Sequence, residues 1–307
     1  MGAGVIGLST AIRLAEAGIA VTVVAAEPPE RTTSYAAGAI VGPVFMVGDD
    51  RDTERERASY DEFTRLAGEP GTGVQISTGR FAAGLDGTGP PPIQAPAEIT
   101  RLGADDLPEP YTSGFQASIP AVDMPVYLDY LRQRFERGGG RVEIRRLRSL
   151  ADAVALASLV VNCTGVGARD FVPDPTVRAV RGQHVIVENP GIDMFFIEAP
   201  FGPSWVGYFP YREHVVLGGV AMDDDWRLEP DPEVAAQIVQ RCAAVEPRLR
   251  AARVIGHRVG LRPVRPTVRL ELEERDGARI VHNYGHGGTG VAMSWGCAAE
   301  AARLVTS

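Results

Sequence analysis

The sequence predicts an α/β fold. A nucleotide-binding domain assembled from discontinuous segments carries an inserted, mostly antiparallel β domain. Three observations predict it. A glycine-rich turn opens the chain and leads into an amphipathic helix and an apolar strand. Residues 179–219 alternate in the manner of strands. Roughly the last 50 residues return to the strand–glycine–helix style of the start.

The elements follow in order. Leu8, Ala11, Ile12 and Ala15 recur at helical spacing, and Gly18 is a helix stop. Val21-Thr22-Val23-Val24 reads as a buried strand. From Gly48 to about Leu107 the chain is rich in Gly, Pro and charge, including Asp49-Asp50-Arg51-Asp52 and Pro90-Pro91-Pro92. This stretch is expected to form long surface excursions on the less regular domain. Asp123-Met124-Pro125 opens a helix with Pro in its first turn. Val126, Tyr130, Leu131 and Phe135 are its expected buried face, and Gly138-Gly139-Gly140 ends it. Val142-Glu143-Ile144 resumes a strand, a short helix starts near Leu150, and Leu159-Val160-Val161 is a strand again. Ala179 to Val187, Trp205 to Pro210 and Val215 to Gly219 read as strands, and Pro232 to Val245 as a helix.

Composition bounds the function. The chain has 307 residues, 45% of them hydrophobic and 23% charged, the balance of an ordinary globular protein of about two domains. A net charge of -8 argues against general nucleic-acid binding, which needs a basic field. Cys163, Cys242 and Cys297 are scattered, odd in number and without CxxC spacing, so reduced thiols in the cytoplasm are expected rather than disulfides or zinc. No apolar run reaches transmembrane length, and no signal peptide or peroxisomal address is read, so no membrane partner is expected.

Gly2-Ala3-Gly4-Val5-Ile6-Gly7 matches G-x-G-x-x-G. The first glycine allows the tight turn, the second lets backbone approach a pyrophosphate, and the third packs helix against strand. The helix then turns free N–H groups toward the phosphates. Two features depart from this Rossmann-like pattern. No strand precedes Gly2, which should leave a slot in the sheet, and several residues of the natural N-terminus are expected to be missing. The position of the ribose-binding acid falls on Ala25. Glu27, two residues on, either takes over the ribose hydroxyls or is a solvated turn residue before Pro28-Pro29.

Four further segments carry a resemblance. They are Thr32-Thr33-Ser34-Tyr35-Ala36-Ala37-Gly38, Val160 to Arg169, Gly260-Leu261-Arg262-Pro263-Val264-Arg265-Pro266, and Val281-His282-Asn283-Tyr284-Gly285-His286-Gly287-Gly288-Thr289-Gly290 with Trp295-Gly296-Cys297. In this order the sequence resembles the D-amino-acid oxidase family from Met1 almost to its end. The resemblance implies a Rossmann-like FAD-binding domain over 1–44, 121–178 and 256–307, and an antiparallel β substrate domain over 45–120 and 179–255. It implies non-covalent FAD contacts at Thr32, Thr33, Ser34, Gly38 and Ala39, at Thr164, at the backbone of Leu147, and at Gly287, Gly288, Thr289, Gly290, Val291 and Ala292.

The site residues divide as follows. On residues alone, Arg262 is evenly an ion-pair partner or a carboxylate grip; the resemblance implies the grip. Arg265 is given the structural role. Tyr208 is similar to the family tyrosine that also contacts the carboxylate, its register set by Val215 to Gly219, while Tyr211 is read as surface. The Gly288 carbonyl matches the acceptor of the substrate amine. Asn283 and Tyr284 are expected to brace the loop, His282 and His286 to play no acid–base part, and no metal is expected. Trp295 reads as packing. Asp223-Asp224-Asp225 and Glu273-Glu274-Arg275-Asp276 read as solvated turns.

The implied reaction is oxidative deamination of a D-amino acid to a 2-oxo acid, ammonia and hydrogen peroxide, by hydride transfer from Cα to flavin N5 with dioxygen as acceptor. Val220-Ala221-Met222-Asp223 offers no base for a second carboxylate, which favours neutral or apolar substrates. Phe195, Phe196, Phe201 and Trp205 are read as the loop before Tyr208. The rival readings are a glycine- or sarcosine-type amine oxidase, an NAD-dependent dehydrogenase, and a non-catalytic nucleotide-binding protein. A homodimer is left open.

Overall fold

The computed structural model describes residues 1–42, 50–83, 99–199, 202–275 and 277–307. Asp49, Pro90-Pro91-Pro92, Phe201 and Asp276 lie outside them. The helices are α1 (Val5–Glu16), α2 (Asp50–Ala67), α3 (Met124–Arg137), α4 (Leu150–Val154), α5 (Ala168–Phe171), α6 (Pro232–Val245) and α7 (Gly290–Thr306). The strands are β1 (Thr22–Ala25), β2 (Ala39–Ile40), β3 (Val74–Ala83), β4 (Ile99–Gly103), β5 (Ser113–Val122), β6 (Arg141–Ile144), β7 (Leu159–Asn162), β8 (Arg178–Glu188), β9 (Phe195–Ala199), β10 (Ser204–Pro210), β11 (His214–Val220), β12 (Met222–Asp223), β13 (Val254–Arg275) and β14 (Ala278–His286).

A twelve-stranded sheet runs in the order β2-β5-β3-β9-β10-β11-β8-β13-β14-β7, with β4 on β5 and β12 on β8. Most pairs are antiparallel; β14 runs parallel to β7, β3 to β9, and β1 to β6. The expected slot between β1 and β7 is closed by the first two residues. The Met1 amine donates to the Val161 carbonyl at 2.7 Å. The Cys163 N–H donates to the Met1 carbonyl at 3.0 Å, and the Gly2 N–H to the Val24 carbonyl at 2.9 Å. Residues 1–2 thus bridge the parallel strands, and the order becomes β6-β1-(1–2)-β7-β14.

The helix core forms where α1, α2, α3 and α7 meet. Val5, Leu8, Ala11 and Ile12 bury one face of α1 against Phe63 and Leu66 of α2, Tyr127 and Leu131 of α3, and Trp295 of α7. The Trp295 indole N–H donates to the Tyr127 hydroxyl at 2.8 Å, which satisfies both groups in the dry interior. The buried face of α3 is Met124, Tyr127, Leu128, Leu131 and Phe135; Leu131 and Phe135 stand where expected, Tyr130 is partly buried against the same core, and Val126 is exposed instead.

Helix α2 and strands β3 and β4 correct the reading of residues 48–107 as surface excursions. Among the described residues, the buried ones of α2 are Arg55, Glu56, Ser59, Phe63 and Leu66, so three of the five are polar. Arg55 earns its burial through two bonds to the Glu300 carboxylate, at 2.8 and 3.0 Å, and a third to Asp52 at 2.8 Å. Helix α2 thus packs against the helix core, and its Tyr60 also reaches the β-layer cluster of Phe81 and Phe115.

The second layer lies across the sheet. Val185, Val187, Tyr208, Val215 and Leu217 pack beneath Val234, Ala235, Ile238 and Cys242 of α6. The Cys163, Cys242 and Cys297 thiols are all buried and free.

The contact between α2 and α7 allows no added bulk. A Cβ at Gly296 would sit 2.2 Å from the Arg55 carbonyl oxygen, and the Gly296 N–H donates to Ser59 Oγ at 3.0 Å. Gly296→Ala is expected to lower stability by about 1–3 kcal/mol, the usual penalty of overpacking a fixed backbone contact. The urea midpoint measures it, and an unchanged midpoint would place α2 elsewhere.

Candidate active site

The carboxyl ends of β1, β6, β7 and β14 open into one cleft of about 1090 Å³. This is the edge at which an α/β sheet with parallel strands binds ligands. The size lies just above the usual range of small-molecule sites, about 300–1,000 Å³.

One end of the cleft is built by the opening turn. Gly2 holds φ +94, and a Cβ there would fall 2.4 Å from the Cys163 carbonyl. Gly7 lies behind the wall, where a Cβ would strike the Gly2 carbonyl at 1.9 Å; it packs helix on turn. Gly2, Ala3, Gly4, Val5 and Ile6 line the cleft. First-turn N–H groups of a helix lack intrahelical partners, and the Val5 N–H donates to Ser34 Oγ at 3.0 Å. Thr32, Thr33, Leu147 and Thr164 join this wall. The Thr164 hydroxyl donates to Asn162 Oδ1 at 2.8 Å. Glu27 lies at the rim and accepts from Arg146 at 3.0 Å. Gly38, Ala39, Thr289 and Ala292 are not part of the wall. Gly38 packs under Phe209, and Thr289 Oγ1 donates to the His286 carbonyl at 2.8 Å.

The other end belongs to β13 and the turn into α7. Arg262 is largely enclosed, and burial alone pushes its pKa down. Its Nη1 donates to the Val220 carbonyl at 3.0 Å, and the guanidinium carbon lies 5.6 Å from the Trp205 ring centroid. No acidic side chain pairs with it among the described residues. The guanidinium fills the space where a side chain at Gly182 would begin, 2.6 Å from Nη1. Gly287, Gly288, Gly290 and Val291 line the cleft opposite. The Gly287 N–H donates to the Pro263 carbonyl at 2.9 Å, which ties the turn to the residue after Arg262. A Cβ at Gly288 would lie 3.7 Å from Arg262 Cδ, so the structure brings these two expected groups together.

Tyr208 is a correction. It is buried on the far side of the sheet, its ring 5.7 Å from that of Phe196, in the cluster under α6. Burial raises its pKa. Its strand neighbours Gly207 and Phe209 face the cleft side instead, because successive side chains of a strand alternate. Trp205 takes the ground beside Arg262: a Cβ at Gly219 would meet its ring at 2.2 Å. Trp205 belongs to β10, and Phe195 and Phe196 to β9, not to a loop. Tyr211 is buried rather than on the surface, its hydroxyl donating to the Val122 carbonyl at 2.7 Å.

The remaining polar residues form supports. Arg265 donates to Asp174 at 3.0 Å, and the Tyr284 hydroxyl donates to the same carboxyl at 2.8 Å. His282 joins Asn162, at 3.2 Å, to Glu273, at 3.0 Å. Glu273 therefore belongs to a network and not to a solvated turn. Asn283 donates to Thr10 at 3.2 Å. His286 is buried, and burial pushes its pKa down to about 3. His184 went unread in the sequence. Its only signal was its place two residues after Gly182 in an alternating strand, which puts both on the cleft face.

Two helix N-termini and a glycine turn suit a diphosphate and its attached rings, and an enclosed cation at the far end suits an anionic substrate. The fold and cleft are those of a dinucleotide-dependent oxidoreductase. The family described as FAD dependent oxidoreductase matches residues 1–304, and the chain belongs to it. Among curated relatives, the D-amino-acid oxidase of Streptomyces coelicolor is 47% identical over 100% of this chain and 95% of the relative. The D-amino-acid oxidase of Rubrobacter xylanophilus is 45% identical over 99% and 94%. Among solved structures, glycine oxidase from Geobacillus kaustophilus superposes with a TM-score of 0.79 at 16% identity, over 99% of this chain and 93% of that one, a likeness of fold.

The cofactor is FAD, and Gly4 lines the cleft. A Cβ at Gly4 already lies 3.0 Å from Ser34 Oγ, so a branched side chain would stand in the cleft. Gly4→Val is expected to lose most of its flavin on gel filtration while far-UV circular dichroism stays unchanged. Full flavin absorbance per chain in the variant would remove Gly4 from the cofactor site.

Proposed function

We propose that this chain catalyses the FAD-dependent oxidative deamination of neutral D-amino acids. The observation that carries the reading is the Arg262 guanidinium, enclosed beside the Gly287–Gly288 turn without an acidic partner among the described residues. An ion in such a place is costly unless a counter-charge arrives. An α-carboxylate is planar, singly charged and able to take two parallel N–H bonds.

The residues then divide the work. Arg262 binds and orients the carboxylate. The Gly288 carbonyl holds the amine, which reacts in its neutral form. Trp205 covers the guanidinium on one side and keeps water from it. No side chain removes the Cα proton; His282 is tied into the Asn162–Glu273 bridge, and His286 is held neutral by burial. When bound, FAD supplies the two-electron acceptor at N5 and passes the electrons to dioxygen, giving hydrogen peroxide. Three fixed points set handedness: the cation, the carbonyl and the flavin face. The imino acid leaves and hydrolyses to a 2-oxo acid and ammonia.

Glu27, at the rim with Arg146, is assigned to the FAD ribose, and Leu147 to the adenine. Residues 1–44, 121–178 and 256–307 make the FAD-binding part, joined by α2, and the rest of the β layer makes the substrate part. Three buried thiols suit a reducing cytoplasm. Among the described residues, no helix is long and apolar enough to cross a membrane.

Anaerobic addition of D-alanine is expected to bleach the flavin spectrum, with glycine and sarcosine acting far more weakly. An unbleached flavin would sink the reading, and preference for glycine or sarcosine would transfer it to that class. Arg262→Ala is expected to lower kcat/KM for D-alanine by at least about a hundredfold, the scale of a charge-assisted pair lost from an enclosed site. A change under threefold would remove Arg262 from substrate binding.

Tyr208→Phe separates the two faces of β10. It is expected to alter kcat/KM for D-alanine by less than about twofold, since its hydroxyl lies under α6 away from the cleft. A loss comparable to that of Arg262→Ala would put Tyr208 back at the substrate.

A further inference from the structure

The strands behind the cleft place one further polar atom on its substrate side. His184 is 8% exposed and sits on β8 beside Gly218 of β11; a Cβ at Gly218 would lie 2.8 Å from His184 Nε2. The Cδ2–Nε2 edge of the ring therefore lies over the bare backbone of Gly218, and His184 lines the cleft. His184 Nδ1 lies 2.7 Å from the Ala36 carbonyl oxygen. A carbonyl only accepts, so Nδ1 carries the hydrogen and Nε2 of the neutral ring keeps a lone pair. Nothing among the described residues takes that lone pair. Burial and the nearby Arg262 and Arg258 hold the ring neutral, with its pKa down to about 4.

Spacing along β8 relates His184 to the substrate. Gly182, over which the Arg262 guanidinium lies, is two residues before His184 on the same face. That is roughly 6.5–7 Å along the strand. A carboxylate held by Arg262 at about 2.8 Å, with its γ substituent three bonds farther at about 1.5 Å each, spans this interval. Resting on the reading of Arg262 above, we propose that His184 is a specificity-determining residue. Its Nε2 accepts a hydrogen bond from a donor at the γ position of the substrate side chain, so D-serine is preferred over its isostere D-2-aminobutyrate.

Two readouts on the FAD-loaded enzyme test this. The first is the kcat/KM ratio of D-serine to D-2-aminobutyrate in wild type, His184→Phe and His184→Gln. Phe keeps a planar ring over Gly218 without an acceptor, whereas Gln keeps a side-chain acceptor. The second is calorimetric Kd for 3-hydroxypropanoate and butanoate, the same pair without an amine to oxidise. The hydroxylated member is expected to be favoured in wild type. The preference should fall about tenfold in His184→Phe, the worth of one neutral hydrogen bond, and recover in part in His184→Gln.

Ratios within twofold of wild type in His184→Phe would overturn the proposal. Should that variant lose its flavin, the wild-type calorimetry decides, because equal Kd values for the two carboxylates overturn it alone. Turnover of both amino acids with an unchanged ratio sinks only His184. Absence of turnover of any D-amino acid by wild type sinks the reading on which it rests.

Discussion

The site depends on keeping a guanidinium charged and enclosed without a neighbouring acid. Removing an ion from water costs several kcal/mol even after relaxation, and one hydrogen bond to the Val220 carbonyl offsets only part of that. The rest of the arrangement reads as a response. Gly182 is bare because its side chain would occupy the guanidinium's place. Gly219 is bare because the Trp205 ring lies there, against the cation. A protein that wanted only stability would have paired or replaced Arg262. The remaining deficit is available to any anion that fits, which is the ground on which the cation is proposed to bind the substrate carboxylate.

Placement of that cation is set by β13, which serves two neighbours. Its first half pairs with β8, up to Val264↔Arg178; Val264 also pairs with His286 of β14, and after an irregularity the second half pairs with β14 from Arg269 onward. Arg262 therefore projects just before the strand changes partners. A polar chain braces the change: Arg265 and Tyr284 meet on Asp174, Arg269 donates to the Tyr284 hydroxyl at 2.9 Å, and Glu273 links Arg269 to His282. Burial works to raise the Asp174 pKa, yet the bonds from Thr176, Tyr284 and Arg265 hold its carboxyl well below the usual range. Its stabilising share is thus present at neutral pH and is lost as acid protonates it. Through this chain and the Gly287–Pro263 bond, the turn under α7 moves with Arg262, so the two groups assigned to carboxylate and amine keep a fixed separation.

Much of the fold was legible where local chemistry and global role agree. The opening helix, its glycine turn, the helix at Pro232 and the strands from Ala179 to Gly219 stand where their patterns put them. Helix α2 was not legible, because a buried stripe of Arg55, Ser59, Phe63 and Leu66 carries little hydrophobic period. Its partners, Glu300 and the Gly296 backbone, lie more than two hundred residues away. Long-range pairing also hid the closing of the sheet by Met1 and Gly2, since two residues give no strand pattern. That Arg262 and Gly288 would stand beside one cleft was legible through the family resemblance carried by their segments, not through any local period.

Tyr208 and His184 show why the remainder of the site escaped. A strand segment can be located from its apolar run, but the face of each residue follows from phase, and an error of one residue inverts it. The tyrosine is a chemically attractive residue one position away from Gly207, which actually faces the cleft side. The floor of the substrate end is made by residues that have no side chain, Gly182, Gly207 and Gly218, over which Arg262, Trp205 and His184 lean from neighbouring positions. Reading a sequence for functional groups looks for side chains. Here the open space above this face of the sheet, where the substrate is proposed to lie, comes from their absence. The glycines decide which of the surrounding cationic, aromatic and imidazole groups can reach the ligand.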